Sequence, residues 1–509
     1  MRDFDFNGLF VFDLANNHQG SLEQGLAIIE DLAEVVQKHD IRAALKFQFR
    51  NLATFIHPEY INKKDIPHIQ RFMSTAIDRA GYEQFIVAAR KSGLLTMCTP
   101  FDEESVDLIM DMNIDIIKVA SCSAKDWPLL KKIADTNQPI VASTGGLSMN
   151  EIDRLVSFFE YRRVYFSLMH CIPIYPTPNV KLNLNQITLL TNRFPKVTVG
   201  FSTHEAPDNY NAIRVAYAKG ARIFERHVGL ERGPHKLNKY SSSPEKIDKW
   251  LTAWNETVEA CGGTERTPAS FDEIESLRSL MRGVYAKRPI AKGQNIDRDS
   301  VFFAMPLQPN QLASGEWEQS FTADKDYATN APLSAILTTL EVPAEEQIYR
   351  IMLQIKGMLN QARLFIGKDS RVEISHHYGL DRFREFGAVI IDCINRSYCK
   401  KLIAMLPRQK HPYHYHAKKE ETFQLLNGDI NVIIDGQRHR LQPGDTLVVS
   451  PRQWHKFYTL DGAIVEEIST THYNDDSFYE DERITRLSRV ARKTDISNWE
   501  AMTEDAKYC

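Results

Sequence analysis

The chain has 509 residues, of which 43% are hydrophobic and 25% charged, as expected for a globular protein with more than one domain. Its 62 basic and 66 acidic residues give a net charge of −4, which excludes the strongly basic balance typical of nucleic-acid binding. There is no apolar run of membrane-spanning length and no leader-like start, and the seven cysteines show no repeated spacing, so we expect a cytoplasmic protein with no membrane contact.

Residues 9 to 230 alternate strand-like with helix-like segments. Eight short apolar, β-branched runs recur at 9–15, 43–48, 94–99, 114–121, 139–145, 164–171, 197–204 and 222–228. Strands that alternate with helices pair in parallel, and eight such units in about 220 residues fit a closed barrel. The sequence therefore predicts an α/β fold with a (β/α)8 TIM barrel over residues 1–270.

Polar residues end each of these predicted strands. In a parallel barrel the carboxyl ends of the strands meet in one bowl, where active sites form. The candidate residues at these ends are Asp13, Lys46, Gln48, Thr99, Lys118, Ser121, Ser143, Thr144, Tyr175, His204, Glu225 and His227. Residues two apart on a strand share a face, so Lys46 and Gln48 point together, as do Glu225 and His227.

Two chemistries are predicted at this mouth. His204 and His227 end consecutive strands and could bind one divalent ion, Mn²⁺ or Mg²⁺; the alternative is that each is only hydrogen-bonded there. Lys46 and Lys118 lie beside three hydroxyl side chains and could hold a phosphate and a carboxylate. The alternative for the lysines is that they reach outward or pair with carboxylates of the mouth, those of Asp13 and Glu225.

The strand ends resemble the sialic acid synthase family over about residues 9 to 245. The motifs are Asn-Asn-His-Gln-Gly at 16–20, Leu-Lys-Phe-Gln at 45–48, Ile-Lys-Val-Ala-Ser at 117–121, Ser-Thr-Gly-Gly at 143–146, Ile-Tyr-Pro-Thr-Pro at 174–178, Gly-Phe-Ser-Thr-His at 200–204 and Glu-Arg-His at 225–227. The resemblance implies a metal-dependent, domain-swapped homodimer. It also implies condensation of phosphoenolpyruvate with an aldose to a 3-deoxy-2-keto sugar acid and release of phosphate, with Asp13, Tyr175 and Glu225 as the expected catalytic residues.

Several positions depart from the family pattern. Asp13 stands where a glutamate is usual, and Ser123 where a glutamate follows the fourth strand. The other departures are Pro173 for an asparagine, His235 for an aspartate, and Met305 for an arginine of the following domain. These changes affect sugar-contacting positions, so they indicate an altered acceptor or a loss of activity.

Residues 277–340 are predicted to form a small all-β module, which more weakly resembles the antifreeze-like (SAF) domain of these synthases. A helical pattern then opens a last unit, residues 347–485. Turn signals at 427–428, 435–436 and 443–444 separate alternating strands there, which indicates a β domain. The charged residues 486–509 are expected to form a surface tail.

The last unit resembles a cupin. His414 and His416 share a strand face, and Glu421 and His455 can come from neighbouring strands to complete a site for Mn²⁺, Fe²⁺ or Zn²⁺. A metal-free histidine cluster is the alternative, and His472 could replace His455. Residues 365–480 are similar to the D-lyxose isomerase type of cupin, in which Glu467 would move a proton between carbons 1 and 2. A structural role for Glu467 is equally open.

The sequence supports three hypotheses. The first is a phosphoenolpyruvate-dependent synthase of a sialic-acid-like sugar for a surface glycan, with a fused cupin that binds or isomerises a sugar. The second is a non-catalytic sugar-binding or regulatory protein built on two enzyme folds. The third places catalysis only in the cupin, as an aldose-ketose isomerase.

Overall fold

The protein is described here by a computed structural model that covers residues 4–496 except 62, 64, 265, 318–320, 337, 340–343, 368–369 and 474. The chain forms two compact units, Met1–Pro268 and Ala269–Cys509. Within the described ranges, no helix has both the length and the apolar character needed to cross a membrane.

Eight parallel strands close into a barrel in the first unit. They are β1 (Leu9–Asp13), β2 (Arg42–Phe49), β3 (Leu95–Pro100), β4 (Ile116–Val119), β5 (Ile140–Ser143), β6 (Phe166–Cys171), β7 (Val199–Thr203) and β8 (Ile223–His227). Each strand pairs with the next, and β8 pairs with β1. Every strand lies within or overlaps one of the eight predicted runs, so the predicted TIM barrel is confirmed.

Helices cover the outside of this barrel. They are α1 (Leu22–His39), α2 (Leu52–Phe55), α3 (Pro67–Ser74), α4 (Arg79–Lys91), α5 (Glu103–Asp111), α6 (Trp127–Ala134), α7 (Met149–Arg162), α8 (Asn185–Arg193), α9 (Asn211–Ala218) and α10 (Pro244–Cys261). Apart from α2 and α3, which bury no residue, their apolar faces pack on the strands around fully buried residues such as Leu32, Phe159 and Trp250. With the outer face sealed by apolar contacts, the polar strand ends are left to line the mouth.

The second unit begins with short elements. They are α11 (Phe271–Leu280), β9 (Gly283–Ala286), β10 (Asn295–Ile296), β11 (Val301–Ala304), β12 (Phe321–Thr322) and β13 (Thr338–Thr339). The strands pair antiparallel around Val284, Phe321 and Leu333. Short antiparallel strands thus occupy the region of the predicted small β module, and its likeness to the SAF domain stays a prediction.

The rest of the second unit is two antiparallel sheets. Its elements are α12 (Ala344–Gln361), β14 (Arg371–Ser375), β15 (Ala388–Asn395), β16 (Tyr398–Met405), β17 (His414–Tyr415), β18 (Glu421–Gly428), β19 (Ile430–Ile434), β20 (Gln437–Leu441), β21 (Thr446–Val449), β22 (His455–Tyr458), β23 (Ala463–Thr470), β24 (Phe478–Tyr479), α13 (Glu482–Thr485), α14 (Arg489–Arg492) and β25 (Lys493–Ile496). The sheets have the orders β21-β18-β23-β16-β15-β14-β25 and β20-β19-β22-β17-β24. The predicted turns hold Gly428, Gly436 and Gly444 at φ of 84°, 86° and 97°, where only glycine is unstrained.

Part of the predicted surface tail belongs to the sheet. Lys493–Ile496 pairs with β14 as an edge strand, and Ile496 is buried. This segment could not be recognised as a strand from its charged composition, because the pairing partner lies over 100 residues earlier in the chain. Residues 497–509 of the predicted tail lie outside the described residues.

Candidate functional site

The barrel mouth contains a buried ionic cluster. Lys46 Nζ lies 2.9 Å from Asp13 Oδ2 and also donates to Glu225 Oε1. Lys118 Nζ lies 3.7 Å from the other oxygen of Glu225. The four side chains come from β1, β2, β4 and β8 and are all buried. The lysines therefore point into the mouth, but they are paired with carboxylates, which was the alternative predicted for them.

The pKa values in this cluster follow from burial and opposite charge. Burial alone would lower the pKa of Lys46, but Asp13 and Glu225 raise it above its usual value. Burial would raise the pKa of Glu225, but Lys118 and Lys46 bring it down to about 2. Burial lowers the pKa of Lys118 although Glu225 opposes the shift. Two ammonium groups thus face two carboxylates, and their charges cancel.

His204 and His227 stand beside this cluster, with ring centroids 5.3 Å apart. Burial lowers the pKa of His204 to about 3 and holds that of His227 below its usual value, so both rings are neutral at pH 7. His204 Nδ1 donates to the Ile172 carbonyl at 3.1 Å, which leaves its Nε2 lone pair free. His227 Nδ1 lies 3.3 Å from Asp13 Oδ2. Two neutral imidazoles next to a carboxylate fit a divalent metal ion.

The hydroxyl groups predicted to bind anions differ in their availability. Lys118 Nζ donates to Ser143 Oγ, so these two groups act together. The buried hydroxyls of Ser121 and Thr99 have no hydrogen-bond partner among the described residues and are free to receive a ligand. Thr144 differs, because both its hydroxyl and its backbone N–H donate to the Met169 carbonyl at 3.0 Å. Its hydroxyl proton is already used.

Gly145 keeps the space that Ser121 needs. A Cβ atom at position 145 would lie 2.6 Å from Ser121 Oγ and 3.0 Å from the Cys171 carbonyl oxygen. Any side chain there would displace the Ser121 hydroxyl or the backbone. The glycine after strand β5 is therefore required by close approach rather than by its dihedral angles.

Other predicted residues border the mouth. Gln48 Nε2 donates to Asp13 Oδ2 at 3.2 Å, so Gln48 and Lys46 share a partner as their spacing predicts. Tyr175 is half exposed, with its ring 4.2 Å from that of His204. Tyr240 was missed from the sequence, yet its ring lies 5.2 Å from His227 and 5.0 Å from Tyr175. It follows β8 in an irregular loop, so no periodic pattern marks it.

The departures from the family pattern lie at separate places. Ser123 is buried after β4, and His235 contacts Gln19 at 3.4 Å beyond β8. Met305 is 56% exposed in the second unit.

A second site lies inside the C-terminal β unit. His414, His416 and His455 are buried, and their ligand nitrogens lie within 4.8 Å of one another. Each Nδ1 donates to a backbone carbonyl, those of Pro412, Asp476 and Gln453 respectively. These bonds fix the tautomer in which the three Nε2 lone pairs are free, the arrangement typical of metal-binding histidines. The residues fit a metal ion.

Glu421 completes this site in part. Its two carboxylate oxygens lie 3.3 Å from His416 Nε2 and 3.2 Å from His455 Nε2. Burial would raise the pKa of Glu421, but Lys419 and His416 hold it well below its usual value. Among the described residues His455 and not His472 belongs to the histidine cluster, as the first of the two predictions has it.

Lys419 was missed from the sequence. Its ammonium group is buried, contacts Glu421 Oε1, and donates to Glu467 Oε1 at 2.9 Å. Ser469 Oγ donates to the same Glu467 oxygen at 3.0 Å. The alternation of residues 419 and 421 is visible in the sequence, but a run of four charges at 418–421 is more typical of a surface. Glu467 therefore lies in the site beside a buried cation.

Comparisons with known proteins agree with this geometry. The NeuB family matches residues 37–266, and the cupin domain family matches residues 401–467. An uncharacterized protein of Methanocaldococcus jannaschii is 30% identical over 57% of this chain and 82% of its own length. The N,N'-diacetyllegionaminic acid synthase of Campylobacter jejuni is 28% identical over 61% of this chain and 93% of its own.

The solved structure of a spore coat polysaccharide biosynthesis protein E from Chromobacterium violaceum matches with a TM-score of 0.63. It is 41% identical over 65% of this chain and 100% of its own. The predicted resemblance to synthases of the sialic acid type is confirmed at the level of the family. The chain belongs to the NeuB family and carries a cupin domain in its C-terminal part.

Proposed function

We propose that the chain condenses phosphoenolpyruvate with an aldose to a 3-deoxy-2-keto sugar acid and releases phosphate, for a surface glycan. The observation that supports this most is the convergence of Lys46, Lys118, His204 and His227 on one barrel mouth. The name of the Campylobacter relative supports the same class of reaction.

The lysines would hold the two anionic groups of phosphoenolpyruvate. On binding, the substrate would replace Glu225 as the partner of Lys118 and share Lys46 with the carboxylates. Ser143 and Ser121 would donate their hydroxyl protons to the same oxygens. Fixed donors in a buried site stabilise such charge more strongly than water does.

The reaction forms one carbon–carbon bond and one carbon–oxygen bond, the latter from water, and breaks one carbon–oxygen bond. Carbon 3 of phosphoenolpyruvate attacks the aldehyde carbon, and the aldehyde oxygen takes a proton. Water adds to carbon 2 and loses a proton. The bond between carbon 2 and the phosphate oxygen then breaks, and the carbon 2 hydroxyl gives its proton to the departing phosphate. His204 and His227 would hold the Mn²⁺ or Mg²⁺ ion, which supplies Lewis-acid polarisation of the aldehyde when bound.

Asp13 is placed to manage a proton. Its carboxylate lies 2.9 Å from Lys46 Nζ and 3.3 Å from His227 Nδ1, where it orients both groups. It would accept the proton that the attacking water loses. Tyr175, half exposed beside His204, would orient the sugar.

Incubation with phosphoenolpyruvate, Mn²⁺ and a panel of aldoses tests this function, with phosphate release and product mass as readouts. We expect release that needs both the aldose and the metal. His204→Ala should abolish it, and His414→Ala in the cupin is the matched control that should retain it. A binding protein would keep its sugar affinity and release no phosphate. Light scattering tests the homodimer, whose domain-swapped form is also part of this proposal.

We infer a second activity for the cupin, the interconversion of an aldose and a ketose. The buried pair of Lys419 and Glu467 beside the three histidines favours it. Glu467 would take the proton from carbon 2 and return it to carbon 1, and the proton of the carbon 2 hydroxyl would pass to the carbon 1 oxygen. Lys419 would balance the charge on these sugar oxygens. The histidines and Glu421 would hold Mn²⁺, Fe²⁺ or Zn²⁺.

Incubation of the metal-loaded chain with single aldoses, followed by chromatography for the ketose, tests the isomerase. Glu467→Gln should abolish conversion and leave phosphate release from the barrel unchanged. If the wild-type chain converts none of the aldoses and His414→Ala does not change sugar binding, the cupin site has no such role.

A further inference from the structure

Arg50 lies at the edge of the barrel mouth, one residue beyond strand β2. Residues 46, 48 and 50 alternate along the chain, and Arg50 Nη2 donates to Gln48 Oε1 at 3.2 Å. Gln48 in turn donates to Asp13 at 3.2 Å. The guanidinium group is therefore connected to the ionic cluster through one amide side chain.

The Arg50 guanidinium is held between two aromatic rings. Its central carbon lies 4.1 Å from the centroid of Phe72, on α3, and 3.6 Å from that of Phe101. These rings orient the cation and satisfy none of its N–H groups. The Nε atom is buried without a hydrogen-bond partner among the described residues. The side chain is thus fixed in place with donors to spare.

Arg50 also lacks an opposite charge. Within the described part of the chain, no carboxylate oxygen lies within 4.0 Å of its guanidinium nitrogens, whereas Lys46 and Lys118 face Glu225 and the buried Arg226 faces Glu205 at 3.8 Å. Burial lowers the pKa of Arg50 only to about 10, so it stays a cation at pH 7. Because the charges of the inner cluster cancel, Arg50 is left at the edge of this mouth as a cation without a carboxylate partner among the described residues.

Open space lies in front of this group. A cavity of about 290 Å³ is lined by Arg50, Gln48, Phe72 and Tyr82, among others. A half-buried cation with free donors next to a cavity is the arrangement that binds phosphate or carboxylate groups, since an arginine can donate two parallel hydrogen bonds to either.

We propose that Arg50 binds a phosphate or carboxylate group of the acceptor, so that the acceptor is an anionic aldose; this rests on the proposed synthase function. The two inner lysines already match the two anionic groups of phosphoenolpyruvate. Arg50 lies two residues beyond Gln48, about 7 Å further along the strand direction, where the far end of a sugar would lie.

Calorimetric titration tests the proposal without requiring turnover. The probes are mannose, glucose and N-acetylmannosamine, each beside its 6-phosphate, together with mannuronate and glucuronate. The wild-type chain should bind at least one charged sugar about 10 to 100-fold more tightly than its neutral counterpart, as expected for charge-assisted hydrogen bonds. The phosphates and uronates distinguish the two sources of the anion.

Variants of two arginines sharpen the test. Arg50→Gln should remove the preference for the charged sugar, and Arg50→Lys should keep part of it, while affinity for phosphoenolpyruvate stays unchanged. Arg79→Gln is the matched control, because Arg79 lines the same cavity but pairs with Glu83 at 2.9 Å. Thermal unfolding checks that each variant is folded, and Arg50→Lys keeps the charge between the rings if Arg50→Gln unfolds.

Two results would overturn the inference: equal affinity of the wild-type chain for neutral and charged sugars, or a loss of phosphoenolpyruvate affinity in Arg50→Gln. A preserved preference for charged sugars without any phosphate release would instead reject the synthase function and leave the anion site standing.

Discussion

The barrel mouth and the cupin interior share one arrangement of charged side chains and differ in the residues that surround it. In each, a buried lysine bridges two carboxylates: Lys46 between Asp13 and Glu225, and Lys419 between Glu421 and Glu467. The barrel adds a second buried lysine and an uncompensated arginine. The cupin adds three histidines whose nitrogens converge. The extra cations of the barrel suit anionic substrates beside its two histidines, whereas the three converging lone pairs of the cupin suit a metal ion. Similar lysines therefore stand in sites suited to different chemistry.

Replacing each bridging lysine should separate the two centres and give the largest effects. Lys46→Met leaves the buried Asp13 without its cation and Glu225 with Lys118 alone, which costs about 3–5 kcal/mol of folding stability and at least about 1,000-fold in phosphate release. Lys419→Met should do the same to isomerisation only. Steady-state assays of both activities on both variants check this.

Unfolding must be separated from loss of function in these variants. Circular dichroism and thermal melts establish whether each variant is folded. If Lys46→Met does not fold, Lys46→Arg, which keeps the positive charge, takes its place. Equal loss of both activities in one folded variant would show that the two centres do not act independently.

The second-largest expected effect is on metal content, which should distinguish the histidines of the cupin from those of the barrel. His455→Ala removes one of three converging nitrogens and should weaken metal binding in the cupin by about 100-fold or more. His204→Ala should weaken only the binding of the ion proposed for the barrel, for which two histidines are available. Elemental analysis after dialysis, with His439→Ala on the cupin strand β20 as control, measures both. Unchanged metal content in His455→Ala would contradict the assignment of the cupin site.

The sequence predicts the parts of both sites that depend on local spacing. Alternation along β2 places Lys46 and Gln48 on one face, and both contact Asp13 as a result. It does not predict long-range pairing. Lys46 pairs with Glu225, which lies 179 residues later in the chain. The inward position of Lys419 depends on the pairing of β18 with β23. Such partners follow from barrel closure and sheet order, which no short window of sequence contains.

The stability of the barrel depends on pH because of one buried histidine, His18. Burial lowers the pKa of His18 from 6.5 to about 4, because the neutral ring is packed against Tyr82 and Phe85. Below pH 6.5, His18 therefore binds a proton in the unfolded chain, whereas in the folded barrel it binds one only as pH approaches about 4. The stability that this group contributes is complete above pH 6.5 and is lost as pH falls toward about 4.

Chemical unfolding at pH 7 and pH 5 measures this effect. For the barrel transition we expect the wild-type chain to lose about 1–2 kcal/mol more than His18→Gln between the two values. The cupin transition of the same samples is the internal control, since His18 lies in the first unit. An identical pH dependence in both proteins would show that His18 titrates normally in the folded state.

The smallest effect concerns two adjacent residues of the barrel mouth. The Thr144 hydroxyl donates its proton to the Met169 carbonyl. The Ser143 hydroxyl accepts from Lys118, so its own proton is available for a hydrogen bond to a ligand. Thr144→Val should therefore cost about 1 kcal/mol of stability and change the KM for phosphoenolpyruvate less than about twofold. Ser143→Ala should raise that KM about tenfold at similar stability. If Thr144→Val instead raised the KM as much as Ser143→Ala, the hydroxyl would turn from Met169 to the substrate on binding, and the anion site would need three hydroxyls from neighbouring strand ends rather than two.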